Sequence, residues 1–238
     1  MKNSVLAGPA AVLLLVIGTA LGSPVPPAAA AALAPPDQSQ LGWLMPELAG
    51  TLPLGPAADG IWHGAVDRDP TGHSEYQLAN AGNATSIYYS YMLQQPDDAA
   101  SLAVDVSLPS AGATRMSGAG LMFDFHPAGR SYCAFVLHPD GVAGLYVRDR
   151  KGLHTLAQAP SALFSSNASN RLQLRRDGPA VTGFVNGREA FRLTDAGSCG
   201  PGSSGTATGP APADGEVEGT GIIAFSVGRF GFRNLDLH

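Results

Sequence analysis

Charge is scarce in this chain. Only 14% of its 238 residues are Asp, Glu, Lys or Arg, against roughly a quarter in an ordinary soluble domain. The 14 basic residues are outnumbered by 19 acidic ones, for a formal net charge of −5. That leaves no basic stripe to neutralise phosphates, which argues against a nucleic-acid partner. Cysteine is nearly absent, with two in the whole chain. There is no C-x-x-C, no P-loop and no G-x-S-x-G, so the common redox, nucleotide and nucleophile-elbow signatures are missing. His63, His73, His138 and His154 are scattered without zinc-ligand spacing. Sustained 3.6-residue periodicity is lacking beyond the N-terminus, which argues against a helical domain.

Turn formers are abundant, with 30 Gly and 19 Pro. Between them lie short runs in which apolar and polar residues alternate. Over 101–108, Leu102, Val104, Val106 and Leu108 fall on one face and Asp105 and Ser107 on the other, the pattern of a half-buried strand. Over 86–93, Ile87, Tyr89, Tyr91 and Leu93 share a face opposite Tyr88, Ser90 and Met92. Further strands are predicted near 61–63, 76–78, 118–125, 131–138, 142–148, 153–156, 221–227 and 230–237. In the 118–125 strand, Leu121, Phe123 and Phe125 are expected on one face, with Met122, Asp124 and His126 on the other. Many short strands with regular turn signals predict an all-β sandwich.

Residues 1–22 read as an export signal: Lys2 is the basic start, Val12–Ile17 the apolar heart, and Ala20-Leu21-Gly22 a small-residue cleavage region. An uncleaved signal anchor is the alternative, and the only route to a membrane. Residues 23–58 form a Pro/Ala-rich spacer and irregular lead-in, with Trp43 as the expected anchor of the apolar stretch 41–54. The sandwich domain is assigned to 59–238. Export leads to a secreted or periplasmic location, where an even cysteine count predicts a Cys133–Cys199 disulfide. The alternative is a buried thiol at Cys133 and a loop thiol at Cys199. Residues 194–219 are a long, low-complexity stretch read as a surface insertion.

The stretch 170–193 organises the rest. Leu172 and Leu174 alternate with Arg171, Gln173 and Arg175, Asp177-Gly178-Pro179 turns the chain, and Val181, Gly183 and Val185 start the way back. Asn186-Gly187 then signals a type I′ hairpin, which needs positive φ at both central residues. This meander opens N-x-L-x-L at 170–174. It is followed by G-I-I-A-F at 221–225 and a closing F-x-N-L-x-L at 232–237.

In that order the motifs resemble the concanavalin A-like lectin/glucanase superfamily, nearest its laminin-G-like and 3-keto-disaccharide-hydrolase-like branch related to glycoside hydrolase family 16. The likeness spans about residues 60–238. It implies an antiparallel two-sheet jelly-roll sandwich and a carbohydrate or other extracytoplasmic ligand. Active glucanases of the superfamily carry E-x-D-x-E on one strand, and this chain has no such motif. Its nearest acids, Asp214, Glu216 and Glu218, fall in a Gly-rich stretch and read as a solvated loop. A non-catalytic binding module is therefore the first expectation.

A glycan-processing hydrolase or lyase of the 3-keto-glycoside type is the second, with Asp124, His126 and Tyr132 as candidate catalytic or ligand-binding residues. A structural or protein-interaction domain is the third. Tyr146, Arg148, Arg171 and Gln173 are candidate ligand contacts, because aromatic planes beside guanidinium and amide forks suit sugars or carboxylates. No cofactor and no metal site are expected. Calcium would need clustered loop oxygens, and Asp67-Arg68-Asp69 is the only compact D-x-D.

Overall fold

A computed structural model describes residues 38–69, 71–94, 101–108, 113–127, 130–159, 164–165, 168–196, 199 and 218–237. The export signal and the first part of the spacer lie outside the described residues, as do Asp214, Glu216 and most of the 194–219 stretch. Residues Pro35–His238 form one compact unit.

A seven-residue helix α1 (Gln38–Leu44) opens it, followed by β1 (Gly55–Pro56), β2 (Trp62–Arg68), β3 (Ser74–Asn80), β4 (Ile87–Gln94), β5 (Ser101–Ser107), β6 (Gly118–His126) and β7 (Ser131–Leu137). Then come β8 (Ala143–Asp149), β9 (Gly152–Ala159), β10 (Asn170–Asp177), β11 (Ala180–Val185), β12 (Arg188–Leu193), β13 (Glu218–Phe225) and β14 (Gly228–Leu237). They build two antiparallel sheets, one in the order β1-β2-β3-β14-β5-β10-β11-β12 and one in the order β4-β13-β6-β7-β8-β9. The fold is an all-β jelly-roll sandwich, as the alternation predicts. No helix among the described residues is long and apolar enough to cross a membrane.

The core lies between the sheets. Leu102, Val104 and Val106 of β5 and Leu172 and Leu174 of β10 meet Leu121, Phe123, Phe135 and Ile222 from the other sheet. Period-2 strands bury every second residue this way. The hairpin also behaves as its sequence requires: Asn186 and Gly187 have φ of 52° and 75°, and β10 runs in register with β11 from Leu172↔Val185 to Asp177↔Ala180.

Cys133 and Cys199 form the disulfide, 66 residues apart in sequence. Cys133 belongs to β7 of the six-stranded sheet. Cys199 follows β12 of the eight-stranded sheet and is fully buried in the core, so the bond ties the two layers together.

Two expectations are corrected. Trp43 does not anchor the lead-in: its side chain is 88% exposed. Leu41, Met45, Leu48 and Leu52 enter the core instead, because one helical turn followed by tight turns brings those four to a single side. The second correction concerns β6. Opposite Phe123–His126, strand β7 supplies only Cys133 to Ser131, so β6 carries one extra residue, and the register against β13 shifts at the same place. Asp124 takes φ 49° at this bulge, a left-handed conformation that Asp tolerates better than most residues. The bulge resets the alternation. Phe125 therefore joins Met122 on the outer face of the six-stranded sheet and not Phe123 in the core.

Candidate functional site

The bulge separates the residues that the sequence suggested would work together. Asp124 turns between the sheets, where its Oδ1 accepts a 2.6 Å charged hydrogen bond from Nη1 of Arg176 on β10. Arg176 is in phase with Leu172 and Leu174, so it points into the sandwich and is buried. The same Nη1 lies 3.7 Å from Glu218 Oε2, and Glu218 Oε1 lies 4.0 Å from His126 Nε2. Glu218 is therefore no solvated loop acid. It is the first residue of β13 and is 3% exposed, because its position is in phase with Thr220 and Ile222 of the same strand.

Burial raises the Asp124 carboxyl most, the Arg176 guanidinium opposes this, and the adjoining Glu218 adds to the rise, leaving Asp124 at about 7. Its Oδ2 is buried with no donor to accept from. The two buried acids share the one guanidinium. This is an interior ion cluster that holds β6, β10 and β13 together. Tyr132 is not part of it: it belongs to the apolar cluster on the outer face, opposite Arg148 in register, and burial pushes its phenol up to about 12.

The other candidates also divide between layers. Tyr146 and Arg148 are on β8 of the six-stranded sheet, whereas Arg171 and Gln173 are on β10 of the eight-stranded sheet. Arg171 bonds to Asp105 Oδ1 at 3.2 Å and lies 3.6 Å from Asp236, and Gln173 donates to Ser101 Oγ at 3.3 Å. These are cross-strand ties on a part-exposed face, of small energy each. Asp69 accepts from Thr71 N, Thr71 Oγ1, His73 N and Arg233 Nη1 at 2.7–2.9 Å. Its carboxylate is thus occupied by protein donors, while Asp67 is exposed and accepts from Arg68 N. No cluster of three or more His, Cys, Asp or Glu suited to a metal occurs among the described residues.

The site with free chemistry lies on the outer face of the six-stranded sheet, at the ends of β7, β8 and β9. It is a depression of about 360 Å³ whose lining includes His138, Tyr146, Gln158, Arg115, Asp140 and Phe225. Residues Tyr132, Ala134, Val136 and His138 follow one another on the same face by alternation, and Tyr146 stands opposite Ala134. The Tyr146 ring lies across Gly144: a Cβ there would come within 2.5 Å of the ring and the hydroxyl, so only glycine lets the ring lie flat on the sheet.

His138 Nδ1 is 2.7 Å from the Ser117 carbonyl, and its Nε2 is 2.7 Å from the Tyr146 hydroxyl. A carbonyl only accepts, so Nδ1 carries the proton and Nε2 accepts from Tyr146. The Gln158 side chain also bonds to the phenol oxygen. The ring is thus held by its polar end and is partly buried, and Phe225 stands edge-on at 6.1 Å. At the other end of the face, Tyr89, Tyr91, Phe125 and Tyr132 form a tilted aromatic group with neighbouring centroids 4.6–6.3 Å apart.

Burial holds the His138 imidazole below its ordinary value. A depressed histidine contributes stability that is complete well above pH 6.5 and is lost as the pH falls through the folded value. An NMR titration should therefore show His138 as the Nδ1–H tautomer with a midpoint below 6.5. A midpoint at or above 6.5 would contradict the locked, neutral ring.

Sequence reasoning found Tyr146 and missed His138, Gln158 and Phe225. The signal for His138 was present in its alternation with Tyr132, but Gln158 depends on a register shift between β8 and β9.

Fold and site together define an all-β jelly-roll sandwich with an aromatic and polar depression on one sheet. No family model matches the chain, and no curated protein matches it. Among solved structures it is similar to a family 66 carbohydrate-binding module from Bacillus subtilis, at 12% identity over 75% of this chain and 95% of that one, with a TM-score of 0.48. It is also similar to the carbohydrate recognition domain of Emp47p, at 10% identity over 74% and 87% with a TM-score of 0.49. A galectin from Caenorhabditis elegans aligns at 12% identity over 68% and 95% with a TM-score of 0.40. At these levels the site residues are read from this chain alone.

Proposed function

We propose that the protein is an exported, non-catalytic binding module whose ligand is a carbohydrate, taken at the Tyr146 depression. The observation that carries this reading is the Tyr146 ring, pinned by His138 and Gln158 and partly buried in the lining of the depression. Arg115, Asp140 and Thr155 stand around it as donors and acceptors. A sugar offers an apolar C–H face to a ring plane and hydroxyls to such a rim. The Cys133–Cys199 bond supports an oxidising compartment.

The enzyme reading has less support. Asp124 and His126 belong to the interior cluster and Tyr132 to the outer face, so the three do not surround one reacting atom. The narrower laminin-G-like or 3-keto-disaccharide-hydrolase-like assignment is a matter of sequence resemblance alone.

Calorimetric titration with a glycan panel tests the proposal. At least one saccharide should bind saturably, Tyr146→Ala should weaken it about 10-fold or more, and Tyr146→Phe should keep most of the affinity because the ring remains. Silence across the panel, or a bound sugar indifferent to Tyr146→Ala, would overturn it.

A further inference from the structure

Trp43 packs little against the described residues. It stands on α1 with its indole 88% exposed, although Leu41 and Met45 on either side are fully buried. Tryptophan normally earns its place through the large apolar area it buries. The chain has two tryptophans, and the other, Trp62, is a core residue at 1% exposure.

Beside the indole runs a groove of about 470 Å³ between α1 and the β2–β3 hairpin, within the size range of small-molecule sites. Leu44 and Val66, both partly buried against the core, give it an apolar floor. Asp67, Arg68 and Ser74 bring a carboxylate, a guanidinium and a hydroxyl to its lining. Each of the two charged residues makes a local hydrogen bond. Asp67 Oδ1 accepts from Arg68 N at 2.8 Å, and Arg68 Nη1 donates to the Gly72 carbonyl at 2.7 Å. Each keeps capacity to spare, a second carboxylate oxygen and further guanidinium N–H donors. Their charges cancel, so neither a polyanion nor a polycation is drawn to the groove. An aromatic plane beside an acceptor and a donor fork suits a ligand with one apolar face and a ring of hydroxyls.

We infer that this groove is a second saccharide site, taking a neutral sugar stacked on Trp43. It stands on different elements from the Tyr146 depression and does not rest on that reading.

The two tryptophans make the test specific. Full-length protein is titrated with neutral gluco-, galacto-, manno- and fructo-oligosaccharides while acrylamide quenching of tryptophan fluorescence is followed. Trp62 is shielded throughout, so the quenchable signal belongs to Trp43. A seated sugar should lower the quenching constant saturably by about half or more, since bound small ligands bury most of their surface. Tyr146→Ala should leave that protection intact. Asp67→Asn combined with Arg68→Ala, both exposed positions, should abolish it while the fluorophore stays. Quenching unchanged by every sugar would overturn the site. So would a sugar-free Trp43 no more quenchable than Trp62, because something else would then cover it.

Discussion

Replacing Arg176 by methionine is expected to destabilise the protein by about 3–5 kcal/mol at pH 8, because it strands two buried carboxyls without their cation. Arg176 is 6% exposed, Asp124 2% and Glu218 3%, so water cannot take over the role of the guanidinium. The loss should shrink in acid, where both carboxyls can be neutral. The wild-type protein carries the same sign. Asp124 in the folded state is raised above its ordinary 3.8 to about 7. Its contribution is therefore complete below pH 3.8 and is lost as the pH rises through about 7.

Asp124→Asn, which cannot ionise, should flatten that part of the pH dependence. Urea unfolding of the three proteins at pH 5 and pH 8 measures all of this. A loss under about 1 kcal/mol in Arg176→Met at pH 8, within the range of an exposed ion pair, would show that the cluster is not the buried charge balance described here. An equal loss at both pH values would show the same.

Removing the disulfide is the second large effect. The double variant Cys133→Ala, Cys199→Ala should lose about 4 kcal/mol in the chain-entropy account, given the 66-residue separation of the two positions. The closed segment runs from within β7 through β12, so the unfolded chain regains the freedom of most of β7, the five strands after it and their turns. Both side chains are also buried in the core, and the truncated sulfurs leave unfilled space that adds to the cost. Urea midpoints of the double variant and the parent, both without reductant, decide it. A difference below about 1 kcal/mol would mean that the denatured chain is already compact enough for the bond to add little.

Much of the fold was legible because a strand's period is 2. Leu102, Val104 and Val106 could only be one face of β5, and Asn186-Gly187 could only favour one kind of turn, since few residues accept positive φ twice in succession. Arg176 was legible in principle too. It stands in phase with Leu172 and Leu174, and a charged residue on a core face announces a buried partner. Its partner could not be named from the sequence, because Asp124 is 52 residues away and reaches it only through a bulge.

One extra residue in β6 undid the local reasoning about Asp124, His126 and Tyr132. A bulge is a property of pairing between strands, so a single strand's alternation does not contain it. The same holds for the grouping of Tyr146 and Arg148 with Arg171 and Gln173, where alternation gives a face but not which sheet owns it.

By itself the amino-acid order determined an all-β sandwich, its main hairpin and the faces of most strands, because these follow from local φ preference and period 2, whereas the count of cysteines left both a disulfide and two free thiols open until the structure showed the bond. The tertiary structure alone decided that Asp124 and Glu218 share Arg176 in the interior, that Trp43 faces water, and that His138 and Gln158 hold Tyr146 at an outer depression. Those juxtapositions come from strand register and sheet order, which are set by long-range packing that no short stretch of sequence encodes.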